Sequence, residues 1–281
     1  VRDRFTGKEG EVSASAFVNA AGPWGAVLAG GPARRAGAEI RLTRGTHVVL
    51  DRRVDDDARL FFSPVDGRVL FLLPYAGHAS LLGTTELDES APTKEPIPTA
   101  GEVRYLREAF RAQFPQWGHW RAVGVSCGIR PLLAGSGPPT DLSREERLLV
   151  DPSGNLVSIL GGKYTTFRAV AERAVDRVER FLGREPSGHP TRWEPLPGDP
   201  ASVDSTGALR RAFAEEDAVR LEDVFLRRTH LGHLGPIDPN LMKRVLHLWR
   251  LRWGKSDRDA EAELEAFQNL QERRLAPLTA W

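Results

Sequence analysis

"LLVDPSGNLVSILGGKYTTFR", residues 148–168, holds two apolar runs, a turn between them, and a cation placed behind two glycines. Leu148–Val150 and Leu156–Leu160 are rich in strand-forming residues. Asp151-Pro152-Ser153-Gly154 has the chemistry of a tight turn, so the spacing predicts a hairpin. Its second strand runs into Gly161 and Gly162, where no Cβ keeps the backbone from an approaching ligand. The periodicity then predicts a helix with Val170, Ala174, Val175, Val178 and Leu182 on one face and Gly183 as its stop. The first N–H groups of such a helix carry partial positive charge. Lys163 adds a full charge, and Thr165 or Thr166 offers a cap or a hydroxyl donor. These features suit an anionic or electron-rich group, such as a phosphate or the pyrimidine edge of a reduced flavin. A plain capped helix start, with Lys163 in solvent, is the alternative.

The 281 residues, 41% apolar and 27% charged with a formal charge of +1, describe an ordinary globular chain with ample core. Near neutrality gives no basis for non-specific nucleic-acid binding. Cys127 is the single cysteine, which excludes an internal disulfide and multi-cysteine metal or iron–sulfur sites and points to a reducing compartment. No apolar run approaches the ~20 residues of a membrane-spanning helix. Lysine occurs only at 8, 94, 163, 243 and 255, so the cation at 163 stands out in an arginine-rich chain.

Upstream, "SASAFVNAAGPWGAVLAGG" reads as a buried strand, Ala14–Asn19, then a turn and a short helix with Pro23 at its first position and Gly30 as its stop. Residues 39–85 change to short β-rich runs, "EIRLTRGTHVVL", "RLFFSP", "RVLFLLP" and "SLLGTT", with "YAGHA" as a hairpin connection, so an antiparallel sheet is expected. Residues 100–114 predict a helix burying Val103, Leu106, Ala109 and Phe110. "GVSCGIRPLL" reads as a strand ending at Arg130, followed by a Gly/Pro-rich loop at 134–140, and residues 184–206 as a connector. Residues 207–281 are expected to be helical, with a capping-box spacing at Ser256 and Asp259.

Five stretches occur in order: "GPWGAVL", "TRGTHVVL", "LLGTTE", "CGIRPLL" and "LGGKYTTFR". Over about residues 12–182 they resemble the respiratory, FAD-dependent sn-glycerol-3-phosphate dehydrogenases, within the D-amino-acid-oxidase-like flavoprotein fold. "RLEDVFLRRTHL" extends the likeness into a helical cap. The resemblance implies an α/β (α+β) chain with part of a Rossmann-like FAD domain at 1–38 and 134–183. It also implies an antiparallel substrate-binding domain at 39–133 and a helical cap at 207–281. The implied chemistry is oxidation of glycerol 3-phosphate to dihydroxyacetone phosphate, with electrons passed through FAD to a quinone. That calls for a base, a phosphate clamp and a group that stabilises charge on the reduced flavin. His47 is the candidate base, a sheet-paired histidine being its plain alternative. Arg130 is the candidate phosphate clamp, its alternative a surface ion pair. Lys163 serves either substrate phosphate or flavin, and the sequence leaves both open. Thr84 and Thr85 are expected at the substrate pocket. Ala21, Gly22 and Trp24 are expected against FAD with Gly161, Gly162, Lys163, Thr165 and Thr166, and Asn19 and Ala20 lead the chain there. Trp24 as a core anchor is the other reading.

The family's G-x-G-x-x-G fingerprint is missing; "GSGPPT" at 135–140 has prolines where a helix should begin. The expectation is therefore an N-terminally truncated enzyme that binds FAD weakly or not at all and does not turn over alone. A related flavin oxidase and a non-catalytic remnant with an interacting helical domain are the rival readings. "HLGH" at 230–233 has a metal-like spacing, but its glycines favour a loop. Residues 241–253 carry an apolar face, interrupted by Arg252, opposite Lys243, Arg244, His247 and Arg250, suited to packing on sister helices or to an anionic lipid surface. A cytoplasmic protein held peripherally on the inner face of the cell membrane follows from the resemblance. Oligomeric state, a homodimer included, stays open.

Overall fold

The computed structural model describes residues 1–3, 5–29, 40–135, 142–143, 145–186, 188–195 and 206–281. The expected Gly30 helix stop, the loop at 136–140 and much of the connector before residue 206 lie outside them. The strands are β1 (Phe17–Asn19), β2 (Ile40–Leu50), β3 (Arg59–Phe62), β4 (Val69–Tyr75) and β5 (Ala79–Gly83), then β6 (Leu87–Glu89), β7 (Ala122–Leu133), β8 (Glu146–Val150) and β9 (Leu156–Gly161). The longer helices are α1 (Ala100–Gln113), α2 (Phe167–Phe181), α3 (Thr206–Ala214), α4 (Pro239–Trp253) and α5 (Asp257–Leu275). Two compact units result: Val1–Gly45 with Glu86–Pro96 and Gly128–Pro197, and Thr46–Thr85 with Ile97–Cys127 and Gly198–Trp281.

In the first unit, β8 and β9 form the expected hairpin, and β1 lies parallel to β9 in the order β1-β9-β8. The hairpin turn closes where Gly154 N–H donates to Asp151 O. β1 corrects the expectation of a buried strand, because Phe17 and Val18 are 44% and 48% exposed and only Asn19 is buried. Apolar composition set the strand; among the described residues it pairs along one edge only. α2 keeps Val170 and Ala174 buried, but Val175 is half exposed and Leu182 lies at the surface. The apolar stripe is thus wider than the surface that covers it.

In the second unit, β3, β4, β5 and the later half of β2 pair antiparallel in that order, and in the first unit Leu42–Arg44 of β2 pairs antiparallel with β6. "YAGHA" makes the tight connection, with Ala76 and Gly77 both at positive φ. Alternation sends Val48 and Leu50 of β2 to one face, where with Leu70, Leu72 and Leu82 they pack on Val103, Leu106, Ala109 and Phe110 of α1. Each fully buried large side chain there contributes about 1.5–3 kcal/mol. A second core joins Leu209 and Phe213 of α3, Val245 and Trp249 of α4, and Ala260 and Phe267 of α5. Between α3 and α4, "RLEDVF" makes a short turn, Leu221–Asp223, that continues as a π-helix, Val224–Arg228.

Candidate functional site

In the first unit, β9 ends in two residues that require glycine. Gly161 and Gly162 have φ of +74° and +102°, and a Cβ on Gly161 would meet Glu145 O at 2.6 Å. Lys163 follows in extended conformation with its side chain exposed, and a single 3-10 turn, Tyr164–Thr166, leads into α2. Neither threonine caps the helix: Thr166 Oγ1 instead donates to Lys163 O at 3.1 Å, and neither N-cap residue, Lys163 or Thr166, makes a side-chain capping bond. That corrects the expected capping role and leaves donors, a cation and bare backbone at one place. Tyr164 is 90% exposed and Phe167 lies half exposed beside it, their rings 5.8 Å apart. Exposed aromatic surface therefore lies beside the helix start.

Asn19 organises the neighbouring turn. Its Nδ2 donates to Gly25 O at 2.8 Å and to Ser158 Oγ on β9 at 3.2 Å, while Oδ1 accepts from Ala21 N. Ala21 and Gly22 are thereby fixed beside β9, with Pro23 opening the 3-10 turn Gly22–Trp24. Trp24 is 37% exposed, so it is not a core anchor; its ring remains accessible to a ligand.

Arg130, on β7, is partly buried and lies against Gly45, where any Cβ would overlap its guanidinium. Its Nη1 is 3.9 Å from Oε1 of Glu86, an almost fully buried acid directly after the Gly-Thr-Thr motif. Nearby Arg44 pairs with Glu89 at 3.3 Å. The surface ion pair considered for Arg130 is therefore replaced by a partly sheltered one, held at long range by a buried carboxylate.

In the second unit, His47 of β2 stands opposite Gly83 of β5. Its ring covers that glycine so closely that a Cβ there would overlap Cδ2. Thr84 follows through a cis peptide bond and donates its hydroxyl to Thr85 O at 3.1 Å. Thr85 is buried and locked to Thr46: its N–H donates to Thr46 O, and its Oγ1 accepts from Thr46 N at 2.9 Å. Both hydroxyls donate to Oε1 of Glu102, each at 2.8 Å. His47, Thr84 and Thr85 are thus brought together in this unit; in the other, Asn19 holds its turn against β9, which leads into Gly161 to Thr166, while Arg130 stands beside Gly45 and Glu86.

Sequence reading missed Glu86 and Glu102. The first was visible as the last letter of "LLGTTE". The second was visible as a Thr99-x-x-Glu102 capping-box spacing, but nothing local tells that its second oxygen faces a sheet. "HLGH" has another explanation than metal: His233 Nε2 lies 3.2 Å from Leu226 O and Nδ1 3.2 Å from Arg274 Nη2, while His230 meets the Tyr75 ring edge-on. A hollow of about 420 Å³ lies between α4 and α5, lined by Ile237, Met242, Leu264 and Phe267 among others and by none of the predicted site residues.

Comparison with known proteins gives a consistent picture. Residues 2–182 match the family described as FAD dependent oxidoreductase. Glycerol-3-phosphate dehydrogenase 2 of Mycobacterium bovis is 35% identical over 186 residues, 65% of this chain and 31% of that protein. The aerobic glycerol-3-phosphate dehydrogenase of Staphylococcus aureus is 33% identical over 196 residues, 66% of this chain and 34% of that protein. The D-erythritol 1-phosphate dehydrogenase of Brucella abortus is 30% identical over 241 residues, 83% of this chain and 46% of that protein. The glycerol-3-phosphate dehydrogenase of Bacillus halodurans, solved with FAD, shares the fold with a TM-score of 0.75 at 21% identity, over 99% of this chain and 66% of that one. The chain spans about a third to a half of the length of these curated relatives.

Proposed function

Because the chain belongs to the family of FAD dependent oxidoreductases, we propose that it serves oxidation of glycerol 3-phosphate to dihydroxyacetone phosphate, with a quinone as final electron acceptor. The observation that carries this reading is Gly161-Gly162-Lys163, a bare strand end and exposed cation delivered to an uncapped helix start. FAD, when bound, supplies the hydride acceptor. Gly161, Gly162, Lys163, Thr165 and Thr166 would hold it together with Ala21, Gly22 and Trp24, the glycine backbone and helix start offering donors to its electron-rich edge.

The chain's own residues then have separable tasks. His47 takes the proton of the C2 hydroxyl, a role open to a neutral imidazole nitrogen. Arg130 grips the phosphate with a planar pair of donors, and Lys163 adds charge to either phosphate or flavin. Thr84 and Thr85 shape the substrate side. Relatives that carry glycerol-3-phosphate dehydrogenase in their names support this substrate. A second reading, a longer polyol phosphate, is favoured by the erythritol-phosphate relative, whose likeness extends over 83% of this chain. The ratio of kcat/KM for the two phosphates separates them.

The same reading holds the protein peripherally on the inner face of the cell membrane, within reach of a quinone. The exposed basic row Lys243, Arg244 and His247 on α4 offers charge to an anionic surface, although the apolar face of that helix packs in the second core. The decisive experiment is His47→Ala in a reconstructed, flavin-loaded enzyme of the relatives' full length. Flavin reduction should slow by roughly 10²–10⁴-fold, the usual worth of a positioned base, while substrate affinity changes little. Equal losses in both would remove the base assignment.

A further inference from the structure

Glu102 is only 3% exposed, although it sits at the third position of α1, where a glutamate ordinarily needs one oxygen to close a capping box. Here Oε2 alone does that work, accepting from Thr99 N at 2.9 Å and Thr99 Oγ1 at 3.0 Å. Oε1 faces the sheet and accepts from the hydroxyls of Thr46 and Thr85. Four donors meet a group that has only acceptors, which suits a carboxylate and not its amide. Burying a charge is costly unless it is so satisfied, and the neighbouring inward positions of α1 are the apolar Val103 and Leu106.

The two threonines flank the residues expected to do chemistry. Thr46 precedes His47 on β2, and strand alternation sends their side chains to opposite faces. Thr85 follows Thr84, two residues beyond the Gly83 on which the His47 ring rests. We propose that Glu102 is a positioning residue, its carboxylate pinning β2 and the chain after β5 from behind and so fixing the His47 ring and the Thr84 hydroxyl. The consequence for catalysis rests on His47 being the base; the consequence for ring geometry does not.

The test uses the 281-residue chain with isotope-labelled histidine, the His47 signal being assigned by its loss in His47→Gln. Glu102→Gln should shift that signal and move its titration midpoint by about half a pH unit or more. Thr46→Val, which keeps the branched shape and removes one donor, should move it by less. Val103→Ala, a neighbouring core truncation, should lower Tm without moving His47. If Glu102→Gln and Thr46→Val lower Tm while His47 titrates as before, Glu102 is a helix cap and the proposal is lost. Should Glu102→Gln fail to fold, Thr46→Val decides alone by the same criterion. In a reconstructed, flavin-loaded enzyme of the relatives' full length, Glu102→Gln should displace the pH profile of kcat in step with the His47 midpoint. A His47 signal that moves while the kcat profile stays fixed supports the positioning role and overturns His47 as base.

Discussion

Gly45 and Gly83 give the two candidate catalytic side chains their room, and they predict opposite outcomes for the same substitution. At Gly45 the clashing atoms belong to the flexible tip of Arg130, which swings aside at little cost. Gly45→Ala should leave stability within about 1 kcal/mol but raise KM for the phosphate substrate roughly tenfold, the worth of one charge-assisted hydrogen bond. At Gly83 the clash is with the stiff ring of His47 across a paired strand. Gly83→Ala should destabilise by about 1–3 kcal/mol and reduce kcat more than it raises KM. Denaturant unfolding and steady-state kinetics check both. The quoted motifs "TRGTHVVL" and "LLGTTE" already placed these glycines beside the chemistry. Their purpose was hidden because the partners, Arg130 for Gly45 and His47 for Gly83, lie far along the chain.

Most element boundaries followed periodicity and turn chemistry, although β1 begins at Phe17 rather than Ala14 and β7 runs past Arg130 to Leu133; burial did not follow. α1 carries its predicted face and a Thr99–Glu102 box, and α5 opens with the Ser256–Asp259 box that its spacing announced. Thr99→Ala should cost about 1–2 kcal/mol, at the upper end of cap losses because it also strips a donor from buried Glu102. β1 and α2 show the limit: period tells which side chains share a face, not whether another layer covers that face. The π-turn at Val224–Arg228 escaped for a related reason, since one extra residue in a turn leaves the apolar pattern nearly unchanged. α4 chose packing over exposure. Trp249 is buried with Nε1 donating to Val219 O at 2.7 Å, and Arg252, which interrupts the apolar arc, donates to Phe213 O at 2.8 Å. Trp249→Ala should therefore cost about 3–5 kcal/mol, read from the unfolding midpoint.

Across the whole molecule, near-neutral net charge conceals acid-sensitive groups in both units, Glu172 and His233 among them. In the first unit, Arg192 and then Arg168 hold the Glu172 carboxyl down to about 2, from an ordinary 4.5. In the second, burial depresses His233, helped by the nearby charge of Arg274 and by His230 and opposed by the Leu226 carbonyl. His233 is therefore neutral in the folded protein at pH 7. Below its ordinary 6.5 the unfolded chain takes up a proton that the folded chain refuses, so stability present above pH 6.5 is lost as the pH falls towards the depressed folded value. Glu172 contributes stability above pH 4.5 that disappears as the pH falls through about 2. Acidification should thus weaken the second unit first and the first unit later. Urea unfolding followed by tryptophan fluorescence between pH 5 and 8 isolates the earlier step. The unaltered chain should lose stability below about pH 6.5, and His233→Gln, which carries no titrating ring, should flatten that part of the curve. Parallel curves for the two proteins would show that the buried imidazole plays no part in the loss.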